Sequence, residues 1–178
     1  SDDVVAKRTI TMAGDFNYPP FHYLDDNGNP TGFDVELFRY LAQQAGFQAD
    51  FQLSQWPRML EALDEGRVDV VPMFSSESRA EKFDFSRSTL YRQHVIFGNR
   101  DAQALSGIDE LSGHSVLVQD GSYAEDHLRK FYPDIEVLVT ETNPDALRAL
   151  ADGQADYALL AQRNAYYARR RLNIEGVN

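Results

Sequence analysis

The sequence predicts an α/β chain of two similar lobes, each a parallel sheet covered by helices, with a ligand cleft where the strand ends of the two lobes face each other. Three observations lead there. Short β-branched and apolar runs alternate with stretches of helical period along the whole chain. One fragment recurs nearly letter for letter: Ala62-Leu63-Asp64-Glu65-Gly66-Arg67-Val68-Asp69 matches Ala149-Leu150-Ala151-Asp152-Gly153-Gln154-Ala155-Asp156, and both copies end a helix on glycine and begin a strand. A repeat at the same point of two βαβαβ units implies two lobes of one design. Finally, strand ends run into loops rich in glycine, hydroxyl and charged residues, and open α/β sheets collect their ligands outside such ends.

In order, Thr9 to Ala13 reads as the first strand, followed by a loop, Gly14 to Phe21, stiffened by Pro19 and Pro20. Phe21 to Leu24 and Thr31 to Phe33 read as a hairpin with Asn27-Gly28 at its apex. The hairpin loop places Asp25, Asn27, Asn29 and Glu36 at calcium-loop positions, but Pro30 stands where that loop needs a glycine, which excludes calcium. A helix follows from Asp34, which can cap it, to Gly46, with Val35, Leu37, Phe38, Leu41, Ala42 and Ala45 on one face. Ala49 to Leu53 is the second strand, Trp56-Pro57 opens the next helix, and Val68 to Val71 is the third strand. The second lobe repeats this with strands at Ser115 to Val118, Glu136 to Val139 and Tyr157 to Leu160. Its helices are Ser122 to Phe131, one capped by Asn143-Pro144, and Gln162 to Arg171. The expected division is lobe one over 1–97, a hinge over 98–102 and lobe two over 103–178.

Composition narrows the function. The chain has 178 residues, 43% apolar and 25% charged, with no apolar run near the ~20 residues that a membrane helix requires. A formal charge of −11 repels phosphate backbones and anionic lipid, which argues against nucleic acid or a membrane surface as partner, and the run Arg169 to Arg171 is too short to reverse that. With no cysteine, thiolate catalysis, thiolate metal sites and disulfides are excluded, and nothing implies a cofactor. The start at Ser1-Asp2-Asp3, without a signal peptide, fits a cytosolic chain or a processed secreted one.

The stretch from Asp69 to Ser86 organises the site. Val68, Val70 and Val71 suit an interior strand that stops at Pro72; beyond it come Ser75, Ser76 and Ser78, then Arg79, a planar two-pronged donor for a carboxylate. The alternative is that Arg79 caps a short helix or pairs with Glu81 or Asp84. In the second lobe, Asp120-Gly121-Ser122-Tyr123 joins a strand to a helix, so free amides and the helix dipole form an anion site. Tyr18 and Trp56, both beside proline, offer aromatic walls.

These motifs resemble the extracytoplasmic solute-binding proteins of family 3. The resemblance rests on Asp15 to Phe21, the hexapeptide Gly32-Phe33-Asp34-Val35-Glu36-Leu37, Trp56 through Asp69, Met73 to Arg79 followed by Phe83-Asp84-Phe85-Ser86, and Gln119 through Tyr123, in the family order over almost the whole chain. It implies a periplasmic-binding-protein-like type II fold of two Rossmann-like lobes, and a periplasmic location. It also implies a small-molecule carboxylate or amino-acid-like ligand, with Tyr18 and Trp56 as an aromatic sandwich, Arg79 clamping the α-carboxylate, and Ser122 and Tyr123 as second-lobe contacts. The candidate ligand-binding set is Asp15, Tyr18, Trp56, Phe74, Ser75, Arg79, Ser122, Tyr123, Ala161 and Gln162. Three departures stand out. Phe74 occupies the place of a threonine or serine, Ala161 that of the aspartate that pairs with the ligand's ammonium, and the chain stops at Gly176-Val177-Asn178 before the segment that returns to lobe one. Without that carboxylate an α-ammonium is desolvated uncompensated, at a cost of several kcal/mol. A carboxylate lacking a free amine, or a nearly empty sensory pocket, therefore fits better than a standard amino acid.

The favoured function is the sensory domain of a membrane signalling protein, a homodimer if it serves such a receptor, touching the membrane only through segments outside this chain. One alternative is the free receptor of an amino-acid transporter. A second is a dehydratase-like enzyme, for which Asp15, Glu77 and Glu141 are the candidate acids; a third is a lobe of a peptidoglycan-cleaving enzyme. No nucleophile-base pair stands out, and His22, His94, His114 and His127 lack metal-ligand spacing.

Overall fold

The computed structural model describes residues 7–178, so the chain start at Ser1-Asp2-Asp3 lies outside the described residues. The elements in chain order are β1 Thr9–Asp15, β2 Asn17–Tyr18, β3 His22–Leu24, β4 Pro30–Thr31, α1 Phe33–Ala45, β5 Gln48–Ser54, α2 Trp56–Asp64 and α3 Glu77–Ala80. They continue as β6 His94–Gly98, β7 Ser115–Gln119, α4 Tyr123–Phe131, β8 Glu136–Thr140, α5 Asn143–Ala151, β9 Tyr157–Ala161 and α6 Gln162–Arg171, with a 3-10 turn at Ile108–Leu111 before β7. The described residues divide into two compact units. The first holds those up to Phe16 together with Phe21–Met73, and the second holds Asn17–Pro20 and Phe74–Asn178.

In the first unit β1 and β5 pair in parallel from Thr9↔Gln48 to Asp15↔Ser54, with α1 as the connection between them. Alternation along β1 sends Met12 to a core with Val35 and Phe38 of α1, while Ala13 packs with Met59 and Ala62 of α2. Both faces of the strand are therefore apolar, as in other sheets covered on two sides. α1 ends where Gly46 takes a left-handed φ of 78°, and its amide closes on the Ala42 carbonyl. β3 and β4 form the expected hairpin, Tyr23↔Thr31 and Leu24↔Pro30. The Asp25 carboxylate accepts from the amides of Asn27 and Asn29 in the loop between them, which holds its pKa below the ordinary value, with the Asn29 bond first.

Two expectations are corrected here. The third strand, Val68 to Val71, is reduced to a single parallel bridge, Met12↔Val70. Val68 is buried but Val70 is 39% exposed, and Pro72 has no N–H with which to prolong a ladder. Nor does Asp34 cap α1: the N-cap is Gly32 without a side-chain bond, and Asp34 is turned inward to His22, Oδ2 to Nδ1 2.9 Å.

The second unit is a four-stranded sheet in the order β6-β9-β7-β8, parallel except that β6 runs antiparallel to β9, from His94↔Ala161 to Gly98↔Tyr157. β6 falls in a stretch where the sequence reading places no strand. Val116, Val118, Tyr157 and Leu159 pack on the α4 side, and Leu117, Ala158 and Leu160 on the side of α5 and α6. Asn178 runs beside β6, its amide donating to the Gly98 carbonyl at 2.9 Å and its carbonyl accepting from the Gly98 amide at 3.0 Å. α5 starts at Asn143 with Thr142 as its cap, the Thr142 hydroxyl accepting from the Asp145 amide; this displaces the expected Asn143-Pro144 cap by one residue.

The recurring fragment does the same work in both units. Gly66 and Gly153 adopt left-handed φ values of 70° and 75° at the two helix ends. The carboxylates that follow, Asp69 and Asp156, accept from the amides of Thr11 and Ser115, near the starts of β1 and β7, at 2.8 Å and 3.2 Å. The side chain thus supplies the acceptor where a parallel ladder begins. Leu150, fully buried among Leu117, Leu147 and Leu160, tests the second unit's core. Leu150→Ala should cost ~2–5 kcal/mol in urea unfolding, and a loss under about 1 kcal/mol would show that this core is not packed as described.

Candidate functional site

The candidate site is built in the second unit around Arg79. Ser76 caps the single turn of α3, its hydroxyl accepting from the Arg79 amide at 3.2 Å, and this turn carries the guanidinium inward until the residue is 6% exposed. There Nη1 donates to the Phe74 carbonyl at 2.9 Å and Nη2 to the Gly121 carbonyl at 3.3 Å, rather than either nitrogen reaching Glu81 or Asp84. Burial lowers the arginine's pKa, opposed by the field of Asp126 and Tyr123. The guanidinium nevertheless keeps its proton, as arginine does throughout proteins. Burial also raises the Asp126 pKa, with Arg79 acting against that. Among the described residues the remaining guanidinium N–H groups have no protein acceptor, so the cation retains capacity for an anion.

The start of α4 lies beside it. Gly121 takes a left-handed φ of 70°, and the Ser122 hydroxyl accepts from the Glu125 amide as the N-cap. The amides that the sequence offers to an anion are partly committed: Ser122 N–H donates to the Gln119 carbonyl at 3.1 Å, and Gly121 N–H to Glu125 Oε2 at 2.7 Å. An acidic side chain has taken the positive end of the helix dipole. The Tyr123 amide is the first of the helix proper, where no intrahelical acceptor exists.

Rings close around this point. Phe74 packs on His94 at 4.6 Å between centroids and faces Tyr123 at 6.0 Å; His94 and Tyr123 are 5.5 Å apart, and Tyr123 stacks on His127 at 5.7 Å. His94 was not among the sequence's candidates. Its pKa is pushed down to about 4, first by burial and then by the electrostatic influence of Arg79 and His127, so it is neutral at pH 7. Its strand partner is Ala161, and the Gln162 amide donates to the Gln93 carbonyl at 2.7 Å. Ser75 is exposed. Tyr18 is buried in this unit with the Arg92 guanidinium 5.8 Å from its ring centre. The segment that carries it is held by Asn164, fully buried, which donates from Nδ2 to the Pro19 carbonyl at 2.6 Å and accepts from Asn143 at 2.8 Å.

The first unit holds the other two candidates. Asp15, at the end of β1, and Trp56, at the start of α2, are 2% and 6% exposed. Trp56 stacks on His22, ring centres 6.4 Å apart and planes 26° apart. His22 is the second residue that sequence reading missed; its partner Asp34 is 12 positions away, a spacing that no local rule connects. The one signal was Gly14, where any β-carbon would sit 2.8 Å from the His22 ring.

Comparison with known proteins follows the same lines. Residues 10–167 match the model of bacterial extracellular solute-binding proteins, family 3. The L-cystine-binding protein TcyJ of Escherichia coli (strain K12) is 31% identical over 165 residues, which are 91% of this chain and 62% of that protein. This chain therefore spans about three-fifths of the length of the curated relatives it matches. A histidine kinase sensor domain with similarity to periplasmic binding proteins superposes with a TM-score of 0.90 at 36% identity, covering 97% of this chain and 76% of that one. An ancestral arginine-binding protein bound to arginine gives 0.86 at 25%, covering 97% and 78%.

The neutral His94 has a consequence for stability. Unfolded, a histidine takes its proton below about 6.5, whereas folded His94 does so only near 4. The unfolded state binds the extra proton between these values, so stability falls as pH drops from 6.5 to 4, by about 3 kcal/mol at ~1.4 kcal/mol per pH unit. The raised pKa of Asp126 works in the opposite sense at the acid end. His94→Phe should therefore lose about 2 kcal/mol less than the parent between pH 7 and 4.5 in urea titrations. Parallel pH profiles for the two proteins would show that His94 protonates freely in the fold.

Proposed function

Because the chain belongs to the bacterial extracellular solute-binding proteins of family 3, we propose that it binds a small carboxylate-bearing solute through Arg79, as the periplasmic input domain of a membrane signalling protein. The observation that carries the binding reading is the buried, charged guanidinium, steadied by the Phe74 and Gly121 carbonyls while further N–H groups remain for a ligand. A carboxylate meets such a donor in bidentate fashion. Phe74, Ser75, Tyr123, Ser122, Gln162 and Tyr18 are proposed as neighbouring contacts in the same unit. Asp15 and Trp56 are proposed as contacts on the family resemblance alone.

Position 161 supports a solute without an α-amine. Ala161 brings no carboxylate, and its strand partner His94 is neutral at pH 7, so neither supplies a counter-charge for an ammonium. The sensory assignment draws on the likeness to a kinase sensor domain. The likeness to a cystine-binding protein supports a second reading, the receptor of a transporter. The matched relatives are binding proteins, and no catalytic role is proposed. No helix among the described residues is long and apolar enough to cross a membrane.

Calorimetry with amino acids and their 2-oxo and 2-hydroxy counterparts tests the binding reading. The deaminated acids should bind more tightly, and Arg79→Ala should weaken them roughly 10- to 100-fold, since a charge-assisted hydrogen bond is worth ~1.5–3 kcal/mol. Undiminished affinity in Arg79→Ala would remove this residue from the site, and a preference for the free amino acids would show that another group replaces the missing carboxylate.

A further inference from the structure

The second unit also contains a cavity of about 460 Å³ whose lining shares only Tyr123 with the proposed carboxylate contacts. It runs along α4 from the ring cluster toward the segment before the 3-10 turn. Ile96 of β6 and Leu159 of β9 contribute to its lining, together with Leu105 and Ile108. His94, Tyr123 and His127 close the end nearest Arg79. A volume in this range suits a small organic ligand, and an apolar wall with a few convergent polar groups is the ordinary composition of such sites.

The lining decides the class of ligand. It includes no Asp, Glu, Lys or Arg, so a full charge entering it would lose hydration without gaining a partner. The polar side chains are two imidazoles, a phenol and the Ser106 hydroxyl, with the Tyr123 ring 5.5 Å from His94 and 5.7 Å from His127. A further aromatic ring entering beside them meets ring faces on one side and aliphatic carbon on the other, with imidazole nitrogens in reach of a polar edge. His94 stays unprotonated at neutral pH, so that end of the cavity offers a neutral donor or acceptor rather than a cation. We propose that this cavity is a second binding site, selective for a small uncharged aromatic compound with one hydrogen-bonding edge.

The site goes beyond the carboxylate reading, overlaps it only at Tyr123, and is tested separately from it. Indole is the probe, with tryptamine and indole-3-acetate as cationic and anionic controls, read by methyl-resolved NMR on protein labelled at Ile and Leu. Indole should produce saturable shifts at Ile96, Leu105, Ile108 and Leu159, and each charged control should perturb these methyls at least tenfold more weakly. Gly107 also lines the cavity; its φ of −167° is ordinary extended backbone, and a β-carbon there meets no atom within 4 Å. Gly107→Phe should therefore fill the space without backbone strain and weaken indole at least tenfold, while His94→Ala should weaken it by removing one ring from the stack. Absence of saturable indole shifts at these methyls in the parent protein would overturn the proposal without touching the Arg79 test. Equal binding of tryptamine, or full affinity in both variants, would overturn the assigned chemistry.

Discussion

A guanidinium out of water is the constraint on which the second unit's site depends. Arg79 is 6% exposed, and a cation so placed persists only where acceptors replace its hydration. The Phe74 and Gly121 carbonyls do so, with α3 capped by Ser76 and the chain turning at Gly121 before α4. The field of the same cation helps to keep His94 neutral and tempers the raised pKa of Asp126. One buried charge thus connects the loop after Pro72, the start of α4 and the start of β6.

Both units also bury polar side chains in hydrogen-bonded pairs. In the first, the His22–Asp34 pair lies under Trp56, and the absence of a β-carbon at Gly14 makes room for the imidazole. In the second, Asn143 and Asn164 form a relay of amides that ends on the Pro19 carbonyl, so residues 17–20 are fastened by hydrogen bonds as well as by packing. A buried amide left without a partner costs ~1–3 kcal/mol, so each of these pairs penalises alternative arrangements of its segment.

The helix start at Ser122 shows how an apparently general anion site is narrowed. Glu125 already places a carboxylate against the Gly121 amide and is itself held by Arg129 Nε at 2.9 Å. An incoming carboxylate must compete with that internal one, whereas at Arg79 the guanidinium bonds only to neutral carbonyls. This contrast is the physical reason why the principal anion contact is proposed on the side chain rather than on the helix dipole.

Local pattern by itself determined the alternation of strands and helices, the glycine stops at Gly46, Gly66 and Gly153, the hairpin at Gly28, the duplicated helix-to-strand fragment and the candidacy of Arg79. Each of these depends on period, propensity or a left-handed φ, which neighbouring residues decide. Only the tertiary structure decided what Asp34 does, because a carboxylate at a helix start caps it unless a distant imidazole is brought near. It also decided that Val68 to Val71 makes one bridge instead of a strand, since a ladder needs a partner edge as well as β-branched residues. The ring cluster of Phe74, His94, Tyr123 and His127 draws on three separate stretches of chain, and the neutral state of His94 follows from their shared burial beside Arg79. No spacing in the sequence encodes a desolvation energy, which exists only once the fold has removed the water.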